Sequence, residues 1–450
     1  MTEAQKEREA QRSESEARDI IHDLEKLNSF PENKKSRWVW ELLQNAKDVA
    51  KDDGVDVIFK LENDIVTVSH NGLPFETKHL LALLYKTSTK SLGGEDGSTG
   101  KYGTGFVTTH ILSKKVTIHG VHKNEKGKRE FNIEIDRASA MLEETQALLE
   151  MQKKLIETFN KIDVISSSSP SEGDVNNINS FTYVTTPNSR IYAQQGLIEL
   201  DKNIAFTLLA NRKEKKKINS VTIINNGDFK KHMVNPTTSN IEGLNYIQTR
   251  DNFGILYKET DNILFGLPVL ERENKYEILS IEGKSVLYKE FPLIGTENFN
   301  LPVFIQHKHF KPTEERDGVR TKKESEDYLD STADNNRACF KDFIIEYTSF
   351  LKSLIDAKSF GLHHIALSGL SEDCSKYHNL LWYTNNIQIP IRNLLCQEPI
   401  LKNVTGEFIK IEMANFPTID LIDDTELYSV FSVLIPSNTS VPLKSGRFKN

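Results

Sequence analysis

Three stretches carry side chains whose types and spacing suit chemistry. The first holds Glu41, Asn45 and Asp48. Separations of four and three residues place all three on one face of a helix. Val39, Leu43, Ala46 and Ala50 fall opposite and suit packing. One face therefore presents an amide between two carboxylates. A carboxylate can take a proton from an attacking water. An amide oxygen is a hard ligand suited to magnesium beside phosphates. An amphipathic helix with solvated polar residues has the same pattern, so this stretch alone decides nothing.

The second stretch, Val66 to Phe75, reads as a strand that runs into a tight turn at His70, Asn71 and Gly72. A plain strand and turn would look the same. The third is Gly100, Lys101, Tyr102, Gly103, Thr104, Gly105 and Phe106. Glycines at this spacing let the backbone come close to phosphates and aim amides at them, with a helix N-terminus behind. A dinucleotide fingerprint is disfavoured, because no parallel-strand pattern precedes the glycines. A Walker loop is excluded at Gly283, Lys284 and Ser285, because Ile278 stands where that loop needs its first glycine.

The elements that must position these residues follow from periodicity. Residues 1–18 are rich in Glu, Arg, Gln and Ser and read as a solvated helical arm. The pattern predicts a helix over 35–51, ending before Gly54, then a hairpin of 55–60 and 65–69 about Asn63 and Asp64. Residues 86–105 are rich in Gly, Ser, Thr and Lys. Strands are predicted near 116–119 and 131–135, then a helix over 138–160. Its apolar positions are Met141, Leu142, Leu148, Leu149, Leu155, Ile156 and Phe159. A polar loop over 166–180 leads to a strand at 181–185. This predicts an α+β layout, with helices on one face of a mostly antiparallel sheet. A second unit is expected from Ile191. It would hold a helix near 203–209, a basic run over 212–217, a strand over 220–224 and further strands up to 305. From Glu324 the chain turns helical, with Phe340, Phe343, Ile344, Tyr347, Phe350, Leu351, Leu354 and Ile355 in one stripe that reads as core. No internal repeat is present. Ser445 to Asn450 carry no closing element, so the natural chain is expected to continue.

Composition bounds the function. The 450 residues are 38% hydrophobic and 27% charged, with net charge -7. A generally basic nucleic-acid binder is disfavoured. The run 212–217 reads as a solvated loop more readily than as a DNA contact. No apolar run nears the ~20 residues of a membrane span. Met1 to Arg18 lack the apolar centre of a signal peptide. Cys339, Cys374 and Cys396 form no paired or zinc spacing, so a cytoplasmic setting is expected. His307 with His309, His363 with His364, and Cys374 with His378 have no second ligand pair nearby. No metal besides magnesium is expected.

The order and spacing of the three stretches resemble the GHKL superfamily, which contains gyrase B subunits, MutL proteins, histidine kinases, MORC proteins and the ninety-kilodalton heat-shock chaperones. Trp40 to Ala50 resembles the N box. Gly100 to Phe106 resembles the second, phosphate-binding glycine box, and Thr87, Ser88, Thr89 and Lys90 resemble lid residues before it. His70 to Phe75, together with Gly100 to His110, looks most like sacsin-type ATP-binding domains of large bacterial proteins. The likeness covers roughly residues 20–190.

The resemblance implies a Bergerat-type ATP-binding α/β sandwich over 19–190, preceded by the arm 1–18. A transducer-like α/β domain over 191–323 and a partly helical region over 324–450 would follow. It implies ATP and Mg2+ as cofactors. Glu41 matches the general base, Asn45 the magnesium ligand and Asp48 a carboxylate lining the pocket. Gly72 matches the residue near the base. Gly100, Gly103 and Gly105 match the phosphate cradle, with Tyr102, Thr104 and Phe106 between and after them. Ser88, Thr89, Lys90 and Lys101 are candidates for phosphate contact, and Thr182 for a hydroxyl near the adenine. His70 stands where most relatives have an acidic residue, and Pro74 where many have glycine. This implies base recognition that is weakened, water-mediated or moved to Asn71. Arg316, within 312–318, resembles a sensor loop after sacsin-like domains. An ion pair of Arg316 with Glu314 or Asp317 is the plainer alternative.

Three readings of function follow. One is an ATPase switch that dimerises on ATP binding and controls a protein partner, as in anti-phage defence systems. Another is a nucleotide-sensing scaffold with little turnover. A kinase is disfavoured, because no phospho-acceptor hairpin precedes residue 41.

Overall fold

The computed structural model describes residues 3–85, 105–170, 177–235, 238–272, 275–326, 329–357, 361–365, 372–403 and 406–414. The fold is α+β, and its large sheets are dominated by antiparallel pairing.

Alternation along Val55–Glu62 (β1) and Ile65–His70 (β2) builds the expected hairpin, with Glu62 opposite Ile65. Asn63 turns the chain at φ 52°, a left-handed conformation that asparagine tolerates better than most residues. Lys115–Asn124 (β3), Gly127–Asp136 (β4), Asn179–Val184 (β5), Ile218–Asn225 (β6) and Asp228–Met233 (β7) complete a sheet of order β4-β3-β5-β2-β1-β6-β7. Only the β1–β6 pairing in it is parallel. Val57, Phe59, Val66, Val68, Ile118, Ile133, Phe181 and Tyr183 lie on its buried face, whereas Ile58, Ile65 and Val184 are exposed. That one-sided burial is what period-two alternation produces in a sheet covered on one face.

Helices lie over the buried face or pack on the helices that do. They are Glu3–Asn28 (α1), Glu32–Lys35 (α2), Trp38–Asp48 (α3), Thr77–Tyr85 (α4), Gly105–Thr108 (α5), Glu144–Ser167 (α6) and Pro187–Asn211 (α7). The Trp38 ring meets Phe59 of β1 at 6.1 Å, and its Nε1 donates to the Tyr192 carbonyl of α7. α4 packs on β3, and α6 packs on β3 and β4. The expected arm does not stop at 18. It continues as one helix, because Ala17, Ile20, Leu24 and Leu27 recur at helical spacing and are buried against neighbours that include α6. The helix expected over 138–160 is also corrected. A short turn over Ala138–Met141 precedes α6, which buries Ala147, Met151, Leu155, Thr158 and Ile162. Met141, Leu142, Leu149 and Ile156 are exposed. The buried set repeats every three or four residues, and those four fall outside it.

The chain divides into two compact units, Met1–Ile204 with Asn211–Met233, and Ala205–Ala210 with Val234–Asn450. The break expected at 190 falls instead in the first turn of α7. Residues 218–233 stay with the first sheet because Val57 of β1 pairs with Val221 of β6. Asp201 of α7 also accepts from Lys230 Nζ at 2.9 Å and lies 2.8 Å from His232 Nε2, which ties the helix to β7.

The second unit has its own sheet. Thr238–Ile241 (β8), Leu244–Arg250 (β9), Phe253–Glu259 (β10), Ile263–Arg272 (β11), Lys275–Ile278 (β12), Leu287–Lys289 (β13), Phe291–Pro292 (β14) and Phe304–His307 (β15) have the order β14-β13-β15-β11-β10-β9-β8, with β12 on β11. Ser331–Asp356 (α8) packs on it. The Asp330 carboxylate caps that helix by accepting from the Thr332 and Ala333 N–H groups. The aromatic stripe is core as expected: Phe350 meets Phe265 of β11 at 4.9 Å, and Phe340, Phe343, Tyr347 and Leu354 are fully buried. Residues after 324 therefore share a core with the strands before it, so the expected division at 323 does not separate compact units. No described helix is long and apolar enough to cross a membrane.

Candidate functional site

Helix α3 buries Trp38, Val39, Leu42, Leu43 and Ala46, which leaves Glu41, Asn45 and Asp48 partly exposed along one edge. The expected face is therefore the open one. Its C-terminal end meets the turn after β2. Leu73 N–H donates to the Val49 carbonyl at 2.7 Å, and a Cβ on Gly72 would stand 2.7 Å from that same oxygen. Only glycine allows so close an approach. The first and second stretches are thus joined through Val49. Lys216, from the basic run, donates to the Asp48 carbonyl at 2.8 Å, where a cation complements the helix end.

The third stretch returns to α3 at Gly105. A Cβ there would lie 2.2 Å from Glu41 Oε2, so the carboxylate rests against the glycine backbone. Arg37 lies 3.5 Å from Glu41 Oε1, one helical turn earlier. Phe106 is buried and meets Phe181 of β5 at 5.9 Å. Tyr183 donates to Thr109 Oγ1, which donates to the Phe106 carbonyl. The short helix α5 is thereby fixed to β5. Ser88, Thr89, Lys90, Gly100, Lys101, Tyr102, Gly103 and Thr104 lie outside the described residues.

His70 ends β2 on the buried face and lies beside Phe181, ring planes 26° apart. Burial pushes its pKa down to about 4. Asn71 is tied to β1: its Oδ1 accepts from Asp56 N–H at 2.8 Å, and its Nδ2 donates to Asp56 Oδ2 at 3.0 Å. Ser220 of β6 donates to the other Asp56 oxygen. The Asn71 amide, through Asp56, therefore braces three strands.

Thr182 is displaced from the expected place. It pairs with Thr67 and Thr117, on the face opposite to Phe181 and His70. The residue across from His70 is Asn179, fully buried, which accepts from Val121 N–H and donates to the Leu73 carbonyl. Asn177 donates through Nδ2 to the Gly72 carbonyl. Sequence reasoning missed both asparagines. The strand was expected to begin at 181, and the side a residue faces cannot be assigned before the strand's first residue is known.

Arg137 was also missed. It is buried, and its Nη2 donates to the Leu83 and Leu84 carbonyls in the last turn of α4. Burial lowers its pKa to about 10. Its charge and burial both hold the neighbouring His110 well below the usual histidine range, burial being the larger cause.

In the second unit, Arg316 has φ 51° and donates through Nη2 to the Lys289 carbonyl at 2.7 Å. Asp317 instead takes Lys376 at 2.9 Å and the Thr313 hydroxyl at 2.7 Å. The loop is ordered, as its charged and turn residues suggested, but by these bonds. No three His, Cys, Asp or Glu side chains among the described residues are grouped to hold a metal ion.

No protein-family model and no curated protein matches the chain.

Proposed function

We propose that the first unit is a magnesium-dependent ATP-binding and hydrolysing switch of the GHKL type, with a Bergerat-type fold. The observation that carries this is the junction at Glu41. Residues 64 positions apart, Glu41 and Gly105, are in such contact that no side chain fits between them. The same helix receives the glycine turn after His70 through Val49. A possible base and the edge of a glycine-rich stretch are thus brought to one helix. In this reading Glu41 takes the proton of the water that attacks the terminal phosphorus, as the bond to the departing diphosphate oxygen breaks. The Asn45 amide oxygen, on the same open edge, would hold magnesium, which when bound offsets phosphate charge. Asp48 would line the pocket beside it.

A scaffold that binds nucleotide with little turnover is the second reading. Its support is the Arg37 guanidinium, 3.5 Å from Glu41 Oε1, which occupies one side of the carboxylate that would otherwise face an attacking water.

Glu41→Ala separates the two. Magnesium-ATP binding, measured by calorimetry, is expected to persist. Steady-state phosphate release is expected to fall about 10²–10⁴-fold, the usual loss on removing a general base. Unchanged release would overturn the hydrolytic role of Glu41.

A further inference from the structure

Gly72 is gripped at both ends by side chains. Its N–H donates to His70 Nδ1 at 3.2 Å, and its carbonyl accepts from Asn177 Nδ2. Each grip fixes the polarity of what remains. A neutral imidazole that accepts at Nδ1 carries its proton on Nε2, so His70 has only a donor left to offer. The lowered pKa of His70 keeps the ring neutral at pH 7. An amide that donates through Nδ2 has its Oδ1 left as an acceptor. In Asn177 that oxygen is buried and has no hydrogen-bond partner among the described residues. A buried acceptor without a bond is a standing penalty that a ligand donor would relieve.

The other polar side chains at the turn are already committed. Asn71 is bound to Asp56, and Asn179 to Val121 and Leu73. Phe181 and Phe75 add apolar ring surface beside His70, with ring centroids 6.3 Å apart. One donor and one acceptor, both anchored on the same glycine, are left next to an aromatic wall.

The geometry points to a base-reading pair in which His70 Nε2–H donates to a ring nitrogen and Asn177 Oδ1 accepts from the amino group next to it. A 6-aminopurine has that edge, its amino group flanked by ring nitrogens. The inference rests on the nucleotide reading above and adds the two residues that select the base. It also gives His70 a purpose that a carboxylate could not serve, since a carboxylate accepts and does not donate.

Calorimetry on the full chain tests it with two probes, ATP and purine riboside triphosphate, which keeps the ring nitrogens and lacks the amino group. The wild type is expected to favour ATP by about 2- to 10-fold, the worth of one net hydrogen bond. Asn177→Ala is expected to abolish that preference, so that the variant binds the two probes with equal affinity. Equal affinities in the wild type would overturn the pair without recourse to any variant. A preference that survives in Asn177→Ala would place the amino contact elsewhere and overturn it too. Failure of both probes to bind the wild type would overturn the nucleotide reading itself, and this pair with it.

Discussion

At neutral pH the His70 imidazole is uncharged, and the fold depends on that. Protonation would place a cation beside Phe181 and remove the lone pair that accepts from Gly72 N–H. The folded pKa, about 4, lies below the unfolded value of 6.5. Between those values the unfolded chain binds more protons, so stability falls as pH falls. The His70 contribution is complete above pH 6.5 and lost as acid reaches the folded value. Its limit is about 3 kcal/mol, and about 2 kcal/mol of it should disappear between pH 7.5 and pH 5. Urea unfolding at those two pH values, on the wild type and on His70→Gln, reads this directly. The variant should show the shallower pH dependence whatever its absolute stability. Equal slopes would mean that His70 is not the buried neutral group described above. His110 adds to the same trend in the wild type and is untouched by the substitution, so the comparison isolates position 70.

Among the elements, the contact of α3 with α5 is the most sensitive to one atom. The obstacle to a Cβ at Gly105 is the carboxylate end of Glu41, a flexible group, and not backbone. Gly105→Ala should therefore fold with little loss of stability while displacing the carboxylate. A shift of about 1 Å in a catalytic group can cost ~10²-fold. The expected outcome is a large drop in phosphate release with the urea midpoint nearly unchanged. Normal turnover in this variant would mean that the Glu41–Gly105 contact is not used. The elements themselves were largely legible. The β1–β2 hairpin, the open edge of α3 and the apolar face of α8 follow from periodicity and turn residues, which are local. Long-range pairing was not legible. The parallel docking of Ile218–Asn225 beside Val55–Glu62 brings together residues far apart in the chain, so the first sheet reached past the expected edge at 190. Strand parity failed in the same way at β5. Starting it at 179 puts Asn179 beside His70 and Thr182 on the other face, a choice that hangs on the pairing of His70 with Asn179.

For the whole molecule, the question is whether nucleotide binding changes assembly. The buried face of α1, formed by Ala17, Ile20, Leu24 and Leu27, already has partners in its own chain, α5 and α6 among them. The guanidinium of Arg12 also lies 5.8 Å from the ring centre of Tyr85, the last residue of α4. The helix therefore touches elements on both sides of residues 86–104. A displacement of α4 or α5 on binding ATP would reach α1 through these contacts. Exchange of the arm between two copies would bury the same apolar face again, so hydrophobic burial alone favours neither state. Only a contact that differs between free and bound states can then couple ATP to dimerisation. Deletion of residues 1–18 would remove Arg12 and leave Ile20, Leu24 and Leu27 in place. Nucleotide binding should stay near the wild-type value, while dimerisation with a non-hydrolysable ATP analogue should weaken. Sedimentation velocity of full-length and truncated protein, each with and without the analogue, measures both states. A shift to dimer confined to the full-length, analogue-bound sample would place the coupling in the arm. The same monomer–dimer balance in all four samples would remove the assembly switch and leave a domain that senses nucleotide without changing its partners.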